Sequence, residues 1–257
     1  MKIAVIGTGA IAQYVQRMLP EHGHELAAIL VRPQRVDPKS PKSVGSVDDL
    51  PAGIELVLDC AGHEALAGLG PDILARGLDI ISVSAGALAD QQVSDRLDRA
   101  ARKGGGRLHL ASGAIGGLDC LSAAAVGPLK SVTYVGRKPP AGWKGSLAEH
   151  SLDLGSITAA ETHFQGSARE AALAYPKNAN VAAAVALAGV GFDRTQVRLI
   201  ADPTIHKNIH EVEAEGDFGT FQFRISGTAL PDNPRSSALA AMSVLSKLDQ
   251  LCKPIVL

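Results

Sequence analysis

Met1-Lys2-Ile3-Ala4-Val5-Ile6-Gly7-Thr8-Gly9-Ala10-Ile11-Ala12 opens the chain and decides its reading. The strand-forming run Lys2–Ile6 leads directly into Gly7, and a helical pattern begins at Ala10. The spacing is G-x-G-x-x-A between a strand and a helix, the context in which such a turn binds the pyrophosphate of a dinucleotide. Gly7 permits the tight turn, and Gly9 removes a Cβ from between backbone and phosphate. Ala12 lets helix and strand pack closely. The first amides of the helix, from Ala10 and Ile11 onward, have no partner inside it and present partial positive charge to an anion. A merely structural glycine turn is the competing reading of the same residues.

Working outward, short β-branched runs alternate with longer helical patterns. Glu25–Val31, Ile54–Asp59, Asp79–Val83 and Arg107–Ala111 read as strands, with helices at Ala10–Leu19, His63–Arg76 and Ala89–Lys103. Gly104-Gly105-Gly106 is a strong helix stop. This rhythm predicts a Rossmann-type α/β domain with a doubly wound parallel sheet. Arg32–Ser46 carries Pro33, Pro38 and Pro41 and reads as a loop. After Ala111 the pattern changes. Ser112–Leu129 reads as a glycine-bounded helix, Ser131–Arg137 as a strand, and Ala168–Tyr175 and Val181–Ala188 as helices. Gln196–Ala201, Asn208–Glu215 and Thr220–Ser226 follow as strands, and Asn233-Pro234 introduces a final helix to about Leu251. This half is expected to be an α+β unit with a mixed or largely antiparallel sheet.

Composition narrows the function classes. Hydrophobic residues are 46% of the 257, charged residues 20%, so the chain can fill a core. Twenty-five basic residues against 26 acidic give a net charge of −1, which argues against a nucleic-acid partner, as do aromatics at only 4%. Cys60, Cys120 and Cys252 form no CxxC pair and are odd in number, so no metal cage or disulfide framework is expected. The longest apolar run, Val181–Phe192, is well short of the ~20 residues needed to span a bilayer. With no leader pattern before the first strand, the expectation is a soluble cytoplasmic protein with no membrane partner.

Several residues carry possible chemistry. About 20 residues past the glycines, where an acid would accept a ribose 2′-hydroxyl, the chain reads Leu30-Val31-Arg32-Pro33, with no acid until Asp37. Arg32 could pair with a 2′-phosphate, stack on adenine, or belong to a solvated loop, so the cofactor reads as NAD or NADP. Strand alternation places His210 with Val212 and Ala214 on an apolar face, which by itself describes a hydrogen-bonded core histidine. His206 and His210 imitate a metal-ligand spacing, but that spacing needs a helix and this stretch reads as strand. Asn178 and Asn180 flank a helix start and could be N-caps. Lys138 and Lys177 lie near turns and read as solvated cations. Ser112–Gly117 lies just past the fifth strand, at the sheet edge where ligands approach.

Set together, Gly7–Ala12, Ser84–Asp90, Ser112–Asp119, Tyr175-Pro-Lys-Asn-Ala-Asn180, Ala201-Asp-Pro-Thr-Ile-His-Lys-Asn-Ile-His210 and Asn233-Pro234 resemble the L-aspartate dehydrogenases. The resemblance runs nearly end to end. It implies NAD(P)-dependent, reversible oxidative deamination of L-aspartate to iminosuccinate, then oxaloacetate and ammonia, feeding NAD biosynthesis. It implies that Ala114 and Asn180 meet the nicotinamide end of the cofactor and that His210 is the active-site histidine, with a pKa near working pH. It further implies a homodimer and a discontinuous nucleotide domain, residues 1–113 plus 233–257, around a substrate and dimerisation domain, 114–232. Two substrate carboxylates need cationic or amide donors, for which Lys138, Lys177, Asn178 and Thr204 are the candidates. The alternatives are a related reductase of the dihydrodipicolinate or homoserine type, and a non-catalytic NAD(P)-binding redox sensor.

Overall fold

The computed structural model describes residues 1–230 and 233–255, without the side chains of 233–235. The chain divides into two units, Met1–Ala111 with the residues from Ala240 on, and Ser112–Leu239. The sequence expectation placed these divisions at 113/114 and 232/233; Pro231, Asp232, Val256 and Leu257 lie outside the described residues.

The first unit contains strands β1 (Lys2–Ile6), β2 (Glu25–Leu30), β3 (Ser43–Val44), β4 (Leu56–Asp59), β5 (Asp79–Ser82) and β6 (Leu108–Leu110). Helices α1 (Ala10–Met18), α2 (His63–Ala75) and α3 (Gln91–Gly104) lie between them. The strand order is β3-β2-β1-β4-β5-β6, all parallel, a Rossmann-type doubly wound sheet. Both faces are covered, so the central strands β1, β4 and β5 bury consecutive residues rather than every second one. Ala4, Ile6, Val57 and Ile80 pack with Leu66, Ile73 and Leu74 of α2 and Val93 and Leu97 of α3. Ile3, Val5, Leu56, Leu58 and Ile81 face the other way, onto Ala12 and Val15 of α1. Val244, Leu245 and Leu248 of the last helix join that second cluster.

The second unit contains α4 (Leu118–Ala124), β7 (Leu129–Lys138), β8 (Glu161–Ser167), α5 (Ala168–Ala174) and α6 (Asn180–Ala188). Strands β9 (Gln196–Ala201), β10 (Asn208–Gly216), β11 (Gly219–Gly227), β12 (Ala229–Leu230) and β13 (Asn233–Ser237) follow, and α7 (Ala238–Cys252) ends the fold. Its main sheet is mixed, in the order β11-β10-β7-β9-β8, with β7 and β9 parallel and the other pairs antiparallel.

Three sequence expectations are corrected, and one strand was not foreseen. Ser112–Leu129 is not one helix: Gly113 and Gly117 both take φ of +71°, so α4 begins only at Leu118, and Leu129 already starts β7. Arg32–Ser46 is not all loop, because Ser43 pairs with Ile29 to form β3. Asn233 and Pro234 lie in β13, where Asn233 is opposite Leu230 of β12 and extended as a residue before proline prefers, so the last helix starts at Ala238. Edge strand β8 escaped the sequence reading because Glu-Thr-His-Phe-Gln-Gly-Ser shows no apolar alternation.

Candidate active site

In the first unit, the glycine turn has the shape that a pyrophosphate needs. Gly7 sits at φ +100°, and a Cβ there would lie 3.0 Å from the Cβ of Ala61 on the loop after β4. Gly9 is extended, with φ −72° and ψ 177°, and a Cβ on it would meet nothing within 4 Å. Helix α1 begins at Ala10 with no side-chain cap and no acidic residue in its first turn. Its amides, from Ala10 and Ile11 onward, are therefore open to an anion. Ala12 is fully buried under the sheet, the close packing its size permits. These residues fit NAD or NADP.

The sequence reading missed a buried carboxylate beside this loop. Asp59 ends β4, and its Oδ1 accepts from the Ala61 amide at 3.0 Å. Its Oδ2 accepts from the hydroxyls of Ser82 at 2.6 Å and Ser84 at 2.8 Å. Burial pushes this carboxyl up while the hydrogen bonds hold it down. The network fastens the carboxyl ends of β4 and β5 together. Arg32 is exposed, and its guanidinium lies 3.4 Å from Glu64 of α2. An acid absent from the end of β2 in sequence thus arrives there from another element.

The second unit gathers a different set of groups. In the sheet, His210 of β10 lies opposite Gly136 of β7 on one side and Ile225 of β11 on the other. It is 4% exposed. Its Nδ1 is 2.7 Å from the hydroxyl of Tyr134, and the two rings are nearly parallel at 17°. Lys138, two residues past Gly136, is 9% exposed. Its Nζ donates to Asn178 Oδ1 at 2.6 Å and lies 4.8 Å from the centre of the Trp143 ring. His163 packs edge-on against the same Trp143 ring at 4.3 Å.

Electrostatics follow from that burial. Burial pulls Lys138 down to about 8. Burial, aided by the Lys138 charge, lowers His210 to about 3 and His163 to about 4. Among the described residues neither Lys138 nor His210 has a carboxylate partner. The expectation of a His210 pKa near working pH is therefore corrected for the free protein: the imidazole is neutral, but well below that range. The reading of Lys138 as a solvated cation is corrected too, because Trp143 and Asn178 enclose it.

Of the other sequence-derived residues, Lys177 is exposed and far less enclosed than Lys138. Thr204 is exposed, and its hydroxyl donates to Asp202 Oδ1 at 2.6 Å. Asp202 in turn pairs with Arg137 at 2.9 Å, and the Thr204 bond foremost holds its carboxyl low. Neither asparagine caps α6, whose N-cap is Ala179; Asn180 is its first residue and Asn178 serves Lys138. Ala114 is buried in a loop that turns at Gly113 and Gly117, and a Cβ on Gly116 would lie 2.8 Å from the Phe223 ring. The structure thus brings together His210, Lys138 and Asn178 and adds Tyr134, Trp143 and His163. Among the described residues no metal-ligating cluster forms, and no helix is long and apolar enough to cross a membrane.

Comparison with known proteins gives a consistent set of likenesses. Residues 119–251 match the family model for the aspartate dehydrogenase C-terminal region, and residues 7–111 that for the homoserine dehydrogenase NAD-binding domain. An L-aspartate dehydrogenase of Ruegeria pomeroyi is 53% identical over 97% of this chain and 92% of its own. One from Ralstonia nicotianae is 43% identical over 96% of each chain. The crystal structure of aspartate dehydrogenase from Thermotoga maritima superposes with a TM-score of 0.79 at 29% identity, covering 100% of this chain and 99% of the other.

Proposed function

The chain belongs to the L-aspartate dehydrogenase family, and from that premise we propose how its residues carry out the NAD(P)-dependent oxidation of L-aspartate. It is an oxidoreductase that uses NAD or NADP. Gly7, Gly9, Ala10, Ile11 and Ala12 cradle the pyrophosphate, Arg32 lies toward the adenosine ribose, and Ala114 and Asn180 meet the nicotinamide end. Bound NAD(P)+ supplies the hydride acceptor. The remaining chemistry is proton transfer and substrate binding, and the second unit is furnished for both.

The observation that carries this reading is the buried Lys138 with no carboxylate partner among the described residues. A cation held out of water without an anion is costly, and an incoming substrate carboxylate relieves that cost. Aspartate offers two. A carboxylate at Lys138, with Asn178 as a neighbouring amide, holds the ammonium charged and offsets the Lys138 contribution to the lowered His210, the smaller cause beside burial. The imidazole then becomes a better base at the moment the substrate is present. Its Nδ1 is engaged by Tyr134, so Nε2 is the nitrogen that takes the proton from the substrate ammonium. That step must come first, since an ammonium has no lone pair with which to form an imine. The product is iminosuccinate, and water converts it to oxaloacetate and ammonia; by microscopic reversibility the same group returns the proton during amination. Lys177 and Thr204 have weaker support as carboxylate donors, because one is solvated and the other is tied to Asp202.

A role in supplying NAD biosynthesis and a homodimeric state are supported by family resemblance. A cytoplasmic location is supported by three cysteines, all free. The test is spectrophotometric. Absorbance at 340 nm should change with L-aspartate and NAD or NADP, and with oxaloacetate, ammonia and the reduced cofactor, but not with D-aspartate or L-glutamate. Folded protein that shows no aspartate-dependent change with either cofactor would leave the reading without support.

A further inference from the structure

From the arrangement of β7 and β10, we infer that Tyr134 is a positioning residue for His210, and that Gly136 is glycine to leave room for it. The inference rests on the assignment of His210 as the proton-transferring group. Tyr134 and Gly136 are two apart on β7 and so share one face, and Gly136 is the residue directly opposite His210. The tyrosine side chain therefore leans along its own strand, across Gly136, to reach the neighbouring strand. A Cβ built on Gly136 would lie 2.7 Å from the Tyr134 hydroxyl oxygen and 3.2 Å from Cδ2 of Leu199. Gly136 does not have a positive φ, so no backbone strain calls for glycine there. The space is what the position supplies.

The hydroxyl that occupies that space is 2.7 Å from His210 Nδ1. Tyr134 is 1% exposed, and His210 is the sole hydrogen-bond partner of its hydroxyl among the described residues. A neutral imidazole carries one N–H, so Nε2 is free to take a proton only when Nδ1–H donates to Oη, and that bond persists when Nε2 becomes protonated. Three consequences follow. The ring plane is fixed, Nδ1 is withdrawn from competition, and the developing imidazolium has a buried acceptor for its second hydrogen. Tyr134 acts only through His210 and touches no reacting atom.

The test is a double-mutant cycle read in kcat, KM and cofactor affinity. Tyr134→Phe should lower kcat roughly ten- to a hundredfold, by analogy with partners that orient metal-bound imidazoles. Its KM for aspartate and its cofactor affinity should stay within about twofold, since no binding contact is lost. In a His210→Ala background the same substitution should change kcat by less than about twofold, because there is no ring left to orient. Gly136→Ala should reproduce the kcat loss by displacing the hydroxyl. The Tyr134→Phe/Gly136→Ala pair should be within about twofold of Tyr134→Phe alone, because removing the oxygen removes the 2.7 Å contact and leaves only 3.2 Å contacts to the ring and to Leu199 Cδ2. That pair keeps the inference testable if Gly136→Ala by itself folds poorly. Equal kcat losses from Tyr134→Phe in both backgrounds would make Tyr134 a packing residue and overturn the inference, leaving the His210 assignment intact. Full turnover in His210→Ala alone would overturn both.

Discussion

Replacing Lys138 with Met should weaken substrate binding without weakening the fold. An ordinary lysine titrates at 10.5 and this one at about 8, a difference worth about 3 kcal/mol against the folded state at ~1.4 kcal/mol per pKa unit. Methionine removes that cost. It also removes the Trp143 cation–π contact, about 0.5–2 kcal/mol, and the Asn178 hydrogen bond, about 1 kcal/mol. At pH 7 the balance lies between neutral and about 1.5 kcal/mol stabilising, a Tm rise of at most ~6 °C for a chain of this size. The pH dependence has a definite sign. Between about 8 and 10.5 the unfolded chain binds the proton that the folded one has lost, so wild-type stability rises with pH across that window. Lys138→Met should lack the rise. In kinetics, losing a charge-assisted contact worth about 1.5–3 kcal/mol should raise KM for aspartate roughly ten- to a hundredfold. Denaturant melts at pH 7 and pH 10, with initial-rate kinetics, read all three quantities. A variant that loses several kcal/mol of stability and keeps its KM would refute the view of Lys138 as an unpaired cation awaiting a carboxylate.

Other outcomes follow from the same geometry. The alkaline limb of kcat/KM for aspartate should fall through a pKa near 8 as free-enzyme Lys138 loses its proton, and Lys138→Met should not show that limb. A group at about 3 supplies no limb near neutrality, so any rising limb there belongs to the substrate amine; one that vanishes in His210→Ala would contradict this. Gly9→Val should fold normally, since a Cβ there meets nothing, yet lose saturable binding of reduced nicotinamide in fluorescence titrations; unchanged affinity would reduce the fingerprint to a turn. Arg32→Ala should weaken NADP binding about tenfold and NAD little, a modest effect because the guanidinium is 71% exposed and Glu64 competes for it. Equal losses for both cofactors would favour stacking on adenine.

The nucleotide-binding unit was legible because its signals are local. Gly7, Gly9 and Ala12 act within one turn, and the central parallel strands β1, β4 and β5 are short, mostly apolar runs buried on both faces. The second unit was harder to read. Strand alternation put His210 on the right face, but nothing near it in sequence names Tyr134, which is 76 positions away. Lys138 beside Pro139 looked solvated because its enclosure comes from Trp143 and Asn178. Glu64 reaches Arg32 only because α2 starts at the sheet edge near the end of β2. Edge strand β8 carries polar residues in both registers, so periodicity was silent. Gly113 and Gly117 fell inside the stretch Ser112–Leu129 read as one helix, whereas their positive φ places both before it.

The most direct measurement is aspartate turnover by His210→Ala protein shown to be folded and to bind cofactor normally. The expected result is a kcat loss of about 10²–10⁴, the range for a general acid–base group, with cofactor affinity near wild type. Wild-type turnover, or a loss that tracks only the fraction of folded protein, would return His210 to the core and contradict the account.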